Sequence, residues 1–291
     1  MRYEGPIYRP PSEVDSLLIQ VTAGCPHNKC TFCMVYKNGP KYKVRPVEEI
    51  IEDLKTASAK YKNLVRTIFF PAGNSIAAST DDLEKVLHAA MELFPKVQRM
   101  TVYGSSRYIL QKGEAQMKRL ACAGLSRVHV GLESGNDETL SDIKKGCSRE
   151  EQIQAGKILK NAGIENSSYV MLGIAGKTKS GEHARDTASA LNEINPEFIR
   201  LRTFVPKVNT LMLHRIQKGQ FTMPGPHEVL QESRMLLENL QVSSNLRSDH
   251  YTNYIDLSGK LPEDSSRLLK HLDNALQLEE SHFRPFFVGT E

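Results

Sequence analysis

The residues with the most evident chemical capacity are three cysteines within nine positions. Cys25, Cys30 and Cys33 lie in the run Thr22-Ala-Gly-Cys-Pro-His-Asn-Lys-Cys-Thr-Phe-Cys33. Thiolates are soft ligands, and three this close match three corners of an iron–sulfur cubane while leaving its fourth iron without a protein ligand. An open metal position marks a reactive site. Two other readings are open at this point. His27 lies between the first two cysteines, so the spacing permits a Cys3His zinc site; otherwise His27 is a plain loop residue. A redox pair of Cys30 and Cys33 is the third option, and it leaves Cys25 without a task. Cys122 and Cys147 stand apart, giving five cysteines in all. An odd, clustered set is not the even framework of a secreted disulfide protein, and it points to metal or redox chemistry. Cys122 falls in a helical pattern and reads as a small core hydrophobe.

A ligand loop needs rigid elements to hold it. Apolar β-rich runs at 17–22, 65–70, 99–103, 127–132, 168–172 and 198–204 predict strands. Helical patterns lie between them at Val47–Tyr61, 81–94, 114–123, Arg149–Asn161 and 181–193. Thr80-Asp81-Asp82 and Ser148 offer N-terminal caps, and Gly124 and Gly163 follow helix ends. Such alternation predicts an α/β fold with a parallel sheet, and periodicity alone does not separate an open doubly wound sheet from an incomplete barrel. The cysteine loop directly follows the first strand, at the end where catalytic groups collect in barrels. From about Pro206 the rhythm breaks. Helical stretches at 226–240 and 264–278 flank a Tyr/Asn/His segment at 250–254, which reads as an extension packed on the core.

Several polar residues have two readings. Ser105, Ser106 and Arg107 follow the third strand and either bind a carboxylate, which suits a guanidinium, or cap a helix. Arg200 and Arg202 alternate onto one face of the last strand, and an inward-facing pair calls for an anionic partner. Glu133 stands just past a strand end, where packing gives a carboxylate little reason to be. Lys29, Lys37, Lys41, Lys43 and Arg45 form either a solvated loop or a surface that attracts an anionic partner. The composition, 40% hydrophobic and 25% charged over 291 residues, is that of a globular protein. A net charge of +4 is too mild for the dense basic face of a nucleic-acid binder. No apolar run suits a membrane span or a signal peptide, so the expected location is cytoplasmic, away from membranes.

On these motifs the chain resembles the radical S-adenosylmethionine (SAM) superfamily. The cysteine loop is similar to that family's C-x3-C-x2-C, with a longer first gap here, and Phe32 supplies the aromatic residue before the last cysteine. Phe70-Pro-Ala-Gly-Asn74 loosely resembles the Gly-Gly-Glu motif. It implies that Ala72 and Gly73 carbonyls and Asn74 meet the methionine amino group. Val130-Gly-Leu-Glu-Ser-Gly135 resembles a Gly-Leu-Glu-Ser-Gly run, implying Glu133 and Ser134 near the ribose and methionine part. Val170-Met-Leu-Gly-Ile-Ala-Gly176 resembles the adenine-contacting segment, with Gly173 and Ile174. Ser106 and Arg107 then suit the methionine carboxylate, and Arg202 suits the cofactor or the substrate. The run His250-Tyr-Thr-Asn-Tyr254 is similar to the tail of some small unassigned members, which makes Tyr251 or Tyr254 a hydrogen donor; the other reading is a packed turn.

The resemblance implies a six-stranded partial (β/α) barrel over residues 1–206 with a C-terminal helical extension over 207–291. It implies a 4Fe–4S cluster on Cys25, Cys30 and Cys33, and reductive cleavage of SAM to a 5′-deoxyadenosyl radical that abstracts hydrogen. An electron donor such as flavodoxin or ferredoxin, and a small-molecule, cofactor or peptide substrate, complete the expectation. A zinc-binding, non-catalytic scaffold is the competing reading; it explains the cysteines and leaves Gly-Leu-Glu-Ser-Gly without a reason. The scaffold itself selects no substrate.

Overall fold

A computed structural model describes residues 1–290. Three short strands open the chain, β1 (Leu17–Leu18), β2 (Thr22–Ala23) and β3 (Lys43–Val44). There follow α1 (Val47–Tyr61), β4 (Thr67–Phe70), α2 (Thr80–Leu93), β5 (Arg99–Gly104), α3 (Ser106–Cys122) and β6 (Leu125–Glu133). Next come α4 (Asp137–Asp142), α5 (Arg149–Asn161), β7 (Glu165–Leu172), α6 (Ser180–Ile194), β8 (Phe198–Thr203) and α7 (Leu211–Gln217). The chain closes with α8 (Pro226–Asn239), β9 (Asn245–Arg247), β10 (Gly259–Lys260) and α9 (Ser265–Ala275). One sheet has the strand order β1-β4-β5-β6-β7-β8-β9-β10 and is mostly parallel, with β10 antiparallel on β9. Strands that follow one another in sequence and in the sheet are the pattern of a (β/α) barrel; a doubly wound sheet reverses its order at a switch point.

The sheet has eight strands where six were expected. The additional pair is β9 and β10, three and two residues long, too short to leave a periodic signal. Helix α3 starts at Ser106 and not at 114, because Gly113 (φ 67°) breaks it and hides its first half from pattern reading. Its last residue, Cys122, is exposed and not a core residue; Met117 and Leu120 occupy the buried face. Ser79, not the following Thr-Asp-Asp, caps α2, its Oγ accepting from the Asp82 N–H at 3.1 Å. Ser148 does cap α5, with its Oγ accepting from the Glu151 N–H at 3.2 Å and Glu151 accepting from the Ser148 N–H at 2.7 Å. Arg45 leaves the solvated basic run altogether. It is buried, donating to Asp53 at 2.8 Å and to the Gln20 carbonyl at 2.8 Å.

The chain divides into two compact units. The first comprises residues 1–28, 35–130 and 157–166; the second comprises 29–34, 131–156 and 167 onward. In the first, α1 packs on α2 and α2 on α3, and Phe69, Phe70 and Phe94 are its largest fully buried side chains. In the second, Val170, Leu172, Ile199 and Leu201 of the strands pack with Leu191 of α6, Leu236 of α8 and Leu268 of α9. Among the described residues no helix is long and apolar enough to cross a membrane.

A buried carboxylate ties the first unit together. Glu13 is fully buried and accepts from Ser16 at 2.6 Å and Arg99 at 3.1 Å, with His129 Nε2 at 3.0 Å. Burial opposes its charge, yet the hydrogen bonds from His129 and Ser16 and the charge of Arg99 hold its carboxyl at about 2. The folded-state value lies below the unfolded one, so this stabilisation is present above the ordinary glutamate range and fades as pH falls through it towards 2. Glu13→Gln is expected to cost roughly 3–5 kcal/mol in urea unfolding at neutral pH. The gap between variant and wild type should close as the pH approaches 2; a gap independent of pH would refute the charged state assigned to Glu13.

Candidate active site

In the first unit, β2 and β3 pair antiparallel, Thr22 with Val44 and Ala23 with Lys43, and so bracket the loop that begins at Gly24. Gly24 takes φ +69°, and a Cβ there would stand 2.5 Å from the Pro40 carbonyl oxygen. Cys25 follows directly. The segment after β4 comes against it: a Cβ on Gly73 would lie 2.7 Å from Cys25 Cβ and 2.8 Å from the Gly24 carbonyl oxygen. Its neighbour Ala72 is buried with φ 89°, a left-handed conformation that costs energy in a non-glycine residue. Asn74 donates from Nδ2 to Ser105 Oγ at 2.8 Å, while its buried Oδ1 has no hydrogen-bond partner. Ser106 Oγ, also buried, has none either, and Arg107 is exposed. Beside Cys25, burial together with the charges of Tyr108 and Cys25 pushes the Tyr42 phenol up to about 12.

The second unit carries Cys30, Phe32 and Cys33. Thr31 between them is pinned by its backbone: its N–H donates to the Ile143 carbonyl at 2.9 Å, and its carbonyl accepts from the Met212 N–H at 3.1 Å. Phe32 packs against a buried cluster of Ile143, Ile174, Phe204, Met212 and Phe221. Strand β6 ends at Glu133, in the left-handed region at φ 64°. Its Oε1 accepts from Lys145 Nζ at 3.1 Å, and both side chains are largely buried. Gly131 makes room for that pair; a Cβ there would stand 2.5 Å from Glu133 Oε1 and 2.8 Å from Lys145 Nζ. Burial opposes the charge of Lys145, but Glu133, Cys30 and Cys147 together hold its pKa above the usual lysine value. Burial pushes the Cys147 thiol up. Ser134 is fully buried, and its Oγ accepts from the Asn136 N–H at 3.0 Å, so its hydroxyl shapes the turn after β6.

After β7, Gly173 takes φ +78° and Ile174 is fully buried. The Gly173 N–H is held by a residue that pattern reading missed, Glu232 on α8, with oxygens at 3.0 and 3.2 Å. A signal for it existed. Glu232 shares the apolar face of α8 with Val229, Ser233 and Leu236, where a carboxylate is out of place. Lys145 was also missed, since Lys144-Lys145-Gly146 reads as a solvated turn.

At the end of β8, Arg200 and Arg202 part company. Arg200 is buried, donating to Ser167 Oγ at 2.9 Å and lying over Phe198. Arg202 is exposed and donates to His250 Nε2. Burial, then the charges of Arg202 and Lys207, lower His250 to about 3, so its ring is neutral and free to accept. Tyr251 is 64% exposed and stacks on His250 at 4.5 Å. Tyr254 is half-buried beneath Arg284, whose guanidinium lies 4.3 Å from the ring centre. Asn253 locks this segment onto β8, accepting from the Thr203 N–H at 2.7 Å and donating to the Leu201 carbonyl at 2.9 Å.

None of the five cysteines is in a disulfide. Among the described residues, no three His, Cys, Asp or Glu side chains converge as ligands of a single metal ion. Tetrahedral zinc, with bonds of about 2.3 Å, draws its thiolates to within about 4 Å of one another. A cubane attaches each thiolate to a different iron and spaces them more widely. Three cysteine thiols on one short loop fit the cluster in number and kind, and the unpartnered Asn74 Oδ1 and Ser106 Oγ are polar groups with hydrogen-bonding capacity in reserve.

Comparison with known proteins bears on the same residues. The family described as Radical SAM superfamily matches residues 19–188. The chain is 24% identical over 280 residues to a biotin synthase of Picosynechococcus, covering 88% of this chain and 73% of that protein. It is 23% identical to the heme chaperone HemW of Bacillus subtilis, covering 71% of this chain and 55% of the relative. Among solved structures, the radical SAM methyltransferase TsrM of Kitasatospora setae superposes with a TM-score of 0.58 at 19% identity, over 72% of this chain and 41% of that one. Methylornithine synthase superposes with a TM-score of 0.51 at 13% identity, over 91% and 83%. At these identities the structures speak for the fold alone. Enzymes of the matched superfamily bind a 4Fe–4S cluster and SAM, and they need an electron donor and a substrate. With more than half of its length matched, this chain belongs to the radical SAM superfamily.

Proposed function

We propose that Cys25, Cys30 and Cys33 hold a 4Fe–4S cluster and that the chain uses it to abstract hydrogen from a small-molecule, cofactor or peptide substrate. The observation that carries this reading is the close approach of the Gly73 backbone to Cys25, which only a glycine allows. When bound and reduced, the cluster supplies one electron to cleave SAM into methionine and a 5′-deoxyadenosyl radical. The rest is positioning by this chain's own groups. The carbonyls of Ala72 and Gly73 and the free Oδ1 of Asn74 accept the methionine ammonium. Ser106 and Arg107 meet its carboxylate. Glu133, paired with Lys145, accepts from the ribose hydroxyls, with Ser134 fixing the turn beside it. Gly173 and Ile174 face the adenine, and Phe32 closes the apolar side with Ile174.

The substrate end is assigned to the extension, residues 207–291, acting on the core of residues 1–206. Arg202, oriented by neutral His250, offers its guanidinium to an anionic group of cofactor or substrate. Tyr251 or Tyr254 gives a hydrogen atom to the substrate radical, and the phenoxyl radical left behind is restored by an electron from the electron donor and a proton from solvent. The electron donor is a flavodoxin or ferredoxin, drawn to exposed Lys37 and Lys41.

The decisive assay is anaerobic reconstitution with iron and sulfide, followed by reduction and measurement of 5′-deoxyadenosine formed from SAM. Wild type should form it and Cys30→Ala should not, while Cys122→Ala, altering an exposed thiol on α3, should keep cluster content and turnover. Equal loss of iron in both variants would sink the ligand assignment, and a protein that retains zinc and cleaves nothing would favour the scaffold reading. Glu133→Ala should weaken SAM binding about tenfold or more and leave the iron content intact, an effect of the size expected from losing a charged hydrogen bond. Unchanged affinity by equilibrium dialysis would remove Glu133 from the cofactor site.

A further inference from the structure

Helix α8 lies beyond the stretch matched to the superfamily, yet it sends a carboxylate to the turn after β7. Glu232 is 1% exposed. Its Oε1 accepts from the Gly173 N–H at 3.0 Å and pairs with His183 Nδ1 at 2.8 Å. Its Oε2 accepts from Ser180 Oγ at 2.6 Å and lies 3.2 Å from the same Gly173 nitrogen. A buried carboxylate is costly unless its oxygens are satisfied, and here three donors on two elements satisfy it. One of them is a backbone amide in a conformation that few residues adopt. Gly173 has φ +78°, and a Cβ there would press to 3.0 Å from Pro224. The turn is closed on its other side by the Gly176 N–H donating to the Gly173 carbonyl at 3.2 Å. The carboxylate holds the Gly173 N–H and, together with the Phe204 N–H donating to the Leu172 carbonyl at 2.8 Å, fixes the plane of the Leu172–Gly173 peptide, from which the chain turns into Ile174.

We infer that Glu232 is a positioning residue for the adenine end of SAM: from α8 it holds the Gly173 N–H and so sets the start of the turn that presents Ile174 to the base. The inference depends on the assignment of that segment to the adenine in the proposed function. It makes the C-terminal extension a determinant of cofactor affinity as well as a candidate substrate element. Ser180 and His183, both on α6, hold the same carboxylate and do not bond the Gly173 amide themselves, so they carry fold stability and not adenine contact.

The test uses the full chain, reconstituted anaerobically, and measures iron content, thermal stability and equilibrium binding of SAM and of methionine alone. Glu232→Gln should keep its iron, bind SAM about tenfold more weakly and bind methionine, which lacks the adenine, as wild type does. Glu232→Asp keeps the charge but withdraws it from Gly173; it should show the same selective loss, and it serves if the Gln variant does not fold. Ser180→Ala should lower the melting temperature and leave both affinities unchanged. Equal weakening of SAM and methionine in the Glu232 variants, an equal loss in Ser180→Ala, or unaltered SAM binding would each overturn the inference. A wild-type protein that takes up a cluster but binds no SAM would overturn the reading of the segment itself, and this inference with it.

Discussion

The middle of the cysteine loop is held by two backbone hydrogen bonds at one residue, Thr31, to Ile143 and from Met212. A loop supplying ligands gains little from its own sequence, because it has no ladder or helix to satisfy its amides. Its shape must come from elements that already have one. Here the end of α4 and the start of α7 provide it, so Cys30 and Cys33 flank a residue whose position two helices define. Phe32 adds an apolar anchor in the same stretch. Both compact units use the same device near their candidate residues: a glycine without a side chain lets backbone or charge come close, at Gly73 beside Cys25 and at Gly131 beside Glu133 and Lys145.

Charge management is the second constraint. Thiolates, a carboxylate and an anionic cofactor group cannot be gathered away from water without a compensating cation. Lys145 is such a cation, largely buried, paired with Glu133 and raised in pKa by the charges of Glu133, Cys30 and Cys147. The opposite problem arises at Arg202, where the neighbouring group is a histidine kept neutral by burial and by Arg202 itself. A neutral acceptor orients a guanidinium without cancelling its charge, which leaves that charge for another anion.

What could be read from the residues, and what could not, follows physical range. The strands β4 to β8 announce themselves because each is a short buried run with its own local pattern, and the Gly-Leu-Glu-Ser-Gly run stands at the end of β6. The strands β9 and β10 are too short to have a period, so the sheet is wider than the pattern predicts. Gly113 masks half of a helix, and Cys122 sits one step off the buried face of that same helix. Partnerships across long sequence separations leave no local trace: Glu13 with His129, Glu232 with Gly173, Asn253 with Thr203. Of these, only Glu232 could have been suspected, as a carboxylate on an apolar helical stripe.

The two added strands also change what the sheet offers to its surroundings. A parallel sheet ending at β8 would present six residues of unpaired backbone, Phe198–Thr203, as a template for another chain. With β9 and β10 in place, the sheet terminates in β1 at one margin and β10 at the other, each two residues long, and β10 carries Lys260. Margins that short, one of them charged, give a foreign strand almost nothing to align with. The extension thereby guards the chain against edge-to-edge aggregation, a protection that would be lost in any truncation ending before Asn245.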